Sequence, residues 1–501
     1  MKERPAIFII ALCISGFIAA WMLLQWLRID GGADVVKSVP GMDDPLGRRR
    51  AYQEQQATRI IQFGAIHHVF DNTPADIPGR WPHFRGPDYR GISDQDIPLA
   101  GDFGPNGPVK LWELVLGQGY GGAAVYDGAV YVLDYIDELG DVLRCFSLED
   151  GSEIWRTGYP IRIASNHGIT RTIPTVTEEY VLTIGPMGHV MCVERESGKV
   201  LWGLDLVRDF GTRDLSSVWY AGQCPFVDGD TAIIAPVGTN VLMMAVECAT
   251  GDILWTVPNE RAWRMSHASI TPMTVDGVKK YIYPAVGGVV AVGAEGEHTG
   301  KILWETDEWT SSVVMPSPVV LQNDRLFVTS GYGGGSAIFK ITRNADGEFS
   351  VEAEYNYGSR RLMREGFSTY MQTAIYHEGH LFGLQLNDAR NHRTEFVCVN
   401  PEVTGGEFVW NSGPETDFTA PRRREAWGPY ILADNKFYVM GDTSLLVVFE
   451  ATTAESRKLG EWQLLEDGYE AWGPLVISGG RLIMRDLNRL ICYDIRKETY
   501  E

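Results

Sequence analysis

Eight stretches of this chain place side chains able to hold a ligand just ahead of a short apolar run. In order they carry Tyr120; His167 and Arg171; Trp219, Tyr220 and Gln223; Arg264 and His267; Met315; Tyr370 and Gln372; Glu425 and Trp427; and Glu470 and Trp472. Arginine and histidine hold an anion through charge-assisted hydrogen bonds, and a guanidinium stays charged at every ordinary pH. A tryptophan face stacks on a planar ring. Arg171, His167, His267, Trp427 and Trp472 therefore form a candidate binding site for a planar, carboxylated molecule. Catalysis finds no such set: spacing names no nucleophile with a base beside it and no pair of carboxylates. Catalytic residues stay unassigned. The seven cysteines include no Cys-x-x-Cys pair, so no metal site is expected. A plainer reading competes, in which repeated segments share residues because they share a fold and the tryptophans only fill a channel.

The elements that would position these residues come from a repeated phrase. A turn with glycine is followed four residues later by tryptophan in Gly151 to Trp155, Gly198 to Trp202, Gly251 to Trp255 and Gly300 to Trp304. Gly406 to Trp410 is a fainter copy, Gly460-Glu461-Trp462 is degenerate, and Tyr355 takes the tryptophan's place after a longer turn around Asp346-Gly347. From Trp112 onward the intervals run between 43 and 55 residues. Each divides into four short apolar runs separated by turns such as Asp127-Gly128, Asp228-Gly229 and Asp276-Gly277, a strong hairpin signal. Repeats of that length with four strands are propeller blades. The 39 residues after Trp462 supply three strands, and Val109 to Leu116 supplies a fourth, so an eighth blade closes from both chain ends. The expected fold is all-β: an eight-bladed propeller of four-stranded antiparallel blades. Cys145, Cys192, Cys398 and Cys492 share one register on the third strand with Ala245 and Ala291, which marks a small buried position.

Glycine at 55, tryptophan at 15 and tyrosine at 21 suit many short strands and tight turns. A net charge of -21 argues against a nucleic-acid partner, which needs a basic face. Lys2 and Arg4 precede Ala6 to Leu27, an uncharged run long enough to cross a bilayer as a helix. Bulky residues from Trp21 to Trp26 follow Ala19-Ala20, which suits an uncleaved anchor better than a cleaved signal. The two basic residues place the N-terminus in the cytoplasm and the rest outside it. The expected division is a transmembrane anchor at residues 1–29, a linker at 30–80 and the propeller at 81–501.

The Gly-x-x-x-Trp phrase resembles the pyrroloquinoline-quinone (PQQ) repeat, and the resemblance covers about residues 81 to 498. That family includes quinoprotein alcohol dehydrogenases and the lipoprotein that assists outer-membrane β-barrel assembly, both eight-bladed. Trp81-Pro82-His83-Phe84-Arg85-Gly86-Pro87, His167-Gly168 with Arg171 and Pro174, and the Ser330-Gly331-Tyr332-Gly333 turn are similar to a group of extracytoplasmic PQQ-like proteins. The resemblance to the dehydrogenases implies a vicinal cysteine pair beneath the cofactor and, in many, a Cys-x-x-Cys-His haem motif. This chain has neither. The expected function is a membrane-anchored, periplasmic binding or scaffold module that offers its loops to protein partners. A PQQ-dependent oxidoreductase, with PQQ as cofactor and no haem motif, is the alternative.

Overall fold

The computed structural model describes residues 15–23, 60–163, 167–213, 215, 220–357, 366–388, 393–402, 407–413, 416, 418 and 428–501. Residues 15–23 form a helix, and the rest of the expected Ala6 to Leu27 span lies outside the described residues. No helix among the described residues is long and apolar enough to cross a membrane.

From residue 109 the chain folds as eight antiparallel blades of four strands each. The first is Ala123–Tyr126, Ala129–Ile136, Gly140–Ser147 and Glu153–Tyr159. The eighth joins Gly473–Ser478, Arg481–Arg485 and Arg489–Asp494 from the end of the chain to Val109–Val115 from near its start. Closure from both ends, expected from the residue arithmetic, is what the register shows: Trp112 stands opposite Cys492.

The strand pairing explains the repeated phrase. On the third strand Cys145, Cys192, Ala245, Ala291, Ile338 and Cys398 stand opposite Trp155, Trp202, Trp255, Trp304, Tyr355 and Trp410. A small partner leaves room for the indole in most blades. One residue earlier the outer strand carries a β-bulge, at Ile154, Leu201, Leu254, Leu303, Glu354, Val409 and Leu111. A bulge twists an outer strand and blunts its edge against further pairing. The tryptophan then reaches the next blade. Trp112 donates its indole N–H to Leu148 O at 3.0 Å, and Trp202 to Cys248 O at 2.7 Å. The following blade's turn glycine receives the ring: Gly198 has φ 67°, and a Cβ there would stand 2.5 Å from Trp155. Glycine is required twice over, for the left-handed backbone and for the ring's approach.

The seventh blade departs from this register. Its bulge falls at Leu459, which puts Gly460, opposite Val448, where the other blades have tryptophan or, in the fifth, Tyr355. Trp462, two residues on, folds back over Gly460 and donates to Gly104 O at 2.7 Å, filling the vacant place from a neighbouring position.

Residues 60 to 80, which fall in the expected linker, and 81 to 108, which fall in the expected propeller, all pack on the blades. Ile66–Val69 adds a fifth, outer strand to the first blade. The segment from Arg80 to Ser93 then crosses the channel as a plug. Arg80–Trp81 pairs with Val125 and Tyr126, and Pro82 O accepts from the Val176 amide at 2.7 Å. The Tyr89 ring lies 4.9 Å from Phe226. Arg85, 9% exposed, donates to Tyr89 O, Arg90 O, Thr373 O and Ala374 O at 2.7 to 3.0 Å. Ile92–Ser93 pairs in parallel with the seventh blade, and the Ser93 hydroxyl donates to Ile477 O at 2.9 Å. The segment from Arg80 to Ser93 thus ties six blades together at the end of the channel away from the mouth, and the Trp81-to-Pro87 motif supplies the ties to three of them.

Cys145, Cys192, Cys398 and Cys492 are buried free thiols, and burial pushes the last two up to about 12. They lie on different blades whose strands diverge outward, and a disulfide needs Cα atoms within about 7 Å. Mass spectrometry of the unreduced protein is expected to find no bond between any two of them. One such bond would overturn this placement.

Candidate functional site

Inner strands of a propeller run side by side around the axis, so the segments leading into them ring one mouth of the channel. Backbone bonds tie these segments together: Tyr120 N donates to Thr170 O at 2.6 Å, His267 N to Val314 O at 2.9 Å, and Ala471 N to Asp442 O at 3.0 Å.

Arg171, His267 and Trp472 all reach this ring. The Arg171 guanidinium is half-buried, 5.3 Å from the centre of the Tyr220 ring and 3.5 Å from Gly168 O. Burial lowers its affinity for the proton to about 10, against the opposing pull of Tyr120, Tyr220 and Tyr332, so it stays charged. His267 lies close enough to feel that charge. Burial first, and Arg171 second, depress its imidazole to about 3, which leaves it neutral at ordinary pH. Of the arginine and histidines expected to hold an anion, Arg171 carries the charge here and His267 does not.

Trp472 is 4% exposed, with the Tyr120 ring 4.7 Å away and tilted 40°. Its indole N–H donates to Asp442 Oδ1, and its carbonyl accepts from Gln372 Nε2 at 3.1 Å. The Tyr120 hydroxyl donates to Glu470 Oε2 at 2.5 Å; burial first, and this bond second, raise the phenol's pKa well above its ordinary value. Residues from the first, sixth, seventh and eighth blades meet in this one knot. His167 is exposed, in a left-handed conformation at φ 54°, beside Gly168, which packs on Tyr120. Trp427, Trp219 and Glu425 lie outside the described residues.

Three contributors were not expected from sequence. Tyr332, 46% exposed and 5.0 Å from the Tyr370 ring, and Asp442 come from turns between second and third strands, which also open on the mouth. Tyr469, also exposed, is the third contributor. The Ser330-to-Gly333 turn was the available signal for Tyr332.

The arrangement suits one anion-holding guanidinium among phenols. It does not fit a quinone clasped between Trp472 and a cysteine pair: Tyr120 covers the indole, and no two cysteines are adjacent. Deeper in the channel a cavity of about 30 Å³ remains between Trp81, Arg85, Gln372 and Tyr430, room for one or two waters rather than a cofactor. Among the described residues no three His, Cys, Asp or Glu side chains stand close enough to hold a metal ion.

The profile of the family described as "Outer membrane protein assembly factor BamB" matches residues 138–395. The chain belongs to this PQQ-like propeller family. The match runs from the first blade's third strand into the sixth blade. No curated protein matches the chain. Among solved structures, the quinohemoprotein alcohol dehydrogenase of Comamonas testosteroni is similar at 12% identity and TM-score 0.56, over 90% of this chain and 84% of that one. The enzyme ADHIIG of Pseudomonas putida HK5 is similar at 13% and 0.55, over 84% and 80%. BamB from Moraxella catarrhalis is similar at 11% and 0.49, over 77% and 100%. Such identities report the fold alone.

Proposed function

We propose that the chain is a non-catalytic binding or scaffold propeller, anchored by its N-terminal apolar segment and displayed outside the cytoplasm. Its mouth and blade loops then face protein partners, as the family's description as an assembly factor suggests. The observation that carries this reading is the Tyr120–Trp472 knot, which uses for internal bonds the side chains a planar cofactor would need. The apolar run Ala6 to Leu27 behind Lys2 and Arg4 supports the anchor and its orientation. A PQQ-dependent oxidoreductase is the second reading, favoured by the charged Arg171 at the mouth.

Two assays test the proposal. After alkaline extraction the protein is expected to stay with the membrane, while a chain beginning at residue 60, which keeps the outer strand and the plug, is released. With PQQ, calcium and alcohols or sugars, no dye reduction is expected. Full-length protein in the soluble fraction would remove the anchor, and substrate-dependent dye reduction would establish the oxidoreductase instead.

A further inference from the structure

Between the first two blades lies a group of polar side chains that the mouth does not use. Asp134 and Asp141 from the second and third strands of the first blade, Tyr159 from the end of its fourth, and His189 and Asp205 from the second blade are each 2% exposed or less. Some of these are compensated. Asp134 pairs with Arg144 at 3.0 Å and accepts the Gly117 and Tyr135 amides. Asp205 Oδ1 accepts the Val207 and Arg208 amides at the start of the short helix Leu206–Phe210. Tyr159 donates its hydroxyl to Asp141 Oδ2. The other atoms are left over: Asp141 Oδ1, both ring nitrogens of His189 and Asp205 Oδ2 have no hydrogen-bond partner. His189 Nε2 stands 3.7 Å from Asp205 Oδ2, too far for a hydrogen bond. Buried polar atoms without protein partners are rare and call for a physical explanation.

The N-terminal arm is packed onto this seam. Phe63 lies 5.2 Å from the Tyr159 ring and 6.3 Å from His189. Three residues later Ile66–Val69 pairs with the strand that ends in Tyr159.

We propose that this seam is a proton-controlled latch on the arm: with Asp141 protonated it closes under Phe63, and ionisation of Asp141 leaves an unneutralised buried charge in the seam that loosens the packing of Phe63 and the pairing of Ile66–Val69. The groups around Asp141 are Asp134 with Arg144 on its own blade, Tyr159 beside it, and His189 and Asp205, with Arg208 behind, on the next. Arg144 is shared between Asp134 and Glu153, Glu153 also pairs with Arg156, and the buried Arg485 of the eighth blade adds its charge beside Asp134; ionised Asp141 adds a buried negative charge that none of these cations pairs with. Burial raises Asp141 to about 7, with the Tyr159 hydrogen bond opposing and Asp134 adding to the shift. An aspartate whose pKa is raised in the closed state keeps a proton that the opened state has already lost at intermediate pH. The latch is therefore tight in acid, weakens as pH rises, and has lost this contribution above about 7.

Hydrogen exchange of the full chain, read at residues 66–69 and divided by the intrinsic rate at each pH, tests the latch. Between pH 5.5 and 8.5 protection there is expected to fall at least about tenfold, with Ile302–Thr306 unchanged as a reference. Asp141→Asn should abolish the fall. Tyr159→Phe, which removes the bond that opposes the shift, should move its midpoint to higher pH. Constant protection in the wild type, or an equal fall in Asp141→Asn, overturns the proposal. Should Asp141→Asn fail to fold, an unmoved midpoint in Tyr159→Phe overturns it.

Discussion

A chain that begins at residue 118 is expected to fail as a stable monomer and to melt well below one that begins at residue 109. The two differ by little more than Val109–Val115, the fourth strand of the eighth blade, and both lack the arm and the plug. Without that strand Arg489–Asp494 becomes a free edge that invites association. The first blade also loses the ring that packs on Gly151, since Trp112 is 7% exposed and reaches Leu148 O. In a chain from residue 60, Trp112→Ala is expected to cost about 3–5 kcal/mol, the range for a large aromatic cut from a core. Denaturant melts measure both effects. Equal midpoints for the chains from 109 and 118 would show that the ring does not close through this strand.

Much of this architecture is legible in the residues because each blade repeats one local solution. Turn glycine, apolar bulge and tryptophan sit at fixed spacing, and the small third-strand partner is visible as a cysteine or alanine. The rule breaks in the seventh blade, where residue identity points to Trp462 but the bulge places Gly460 in the docking position. Only strand pairing reveals that shift. The Trp81-to-Pro87 motif reads as a signature before the first blade, yet its work lies in bonds to carbonyls 288 and 289 residues away, which no local pattern encodes. At the mouth, convergence of Arg171, His267 and Trp472 follows from ring closure, so sequence order sufficed. Their states do not follow from it. His267 is neutral because Arg171 and burial act on it together, and Trp472 is consumed by Tyr120 and Asp442, which come from other blades.

Trp472 is the side chain on which the reading of the mouth turns. If it is a knot between blades, removing the indole leaves a void beside Tyr120 and strips Asp442 Oδ1 of a donor. A cut of that kind in a packed core costs about 3–5 kcal/mol. If instead it is the platform for a bound quinone, its loss should spare the fold and abolish binding. Thermal melting of the wild type and Trp472→Ala, each with and without PQQ and calcium, separates the two, because a ligand bound only by the folded state raises the melting temperature. The binding-module account expects Trp472→Ala to melt well below the wild type and PQQ to shift neither. A variant that melts with the wild type, together with a PQQ-dependent rise seen in the wild type alone, would contradict it.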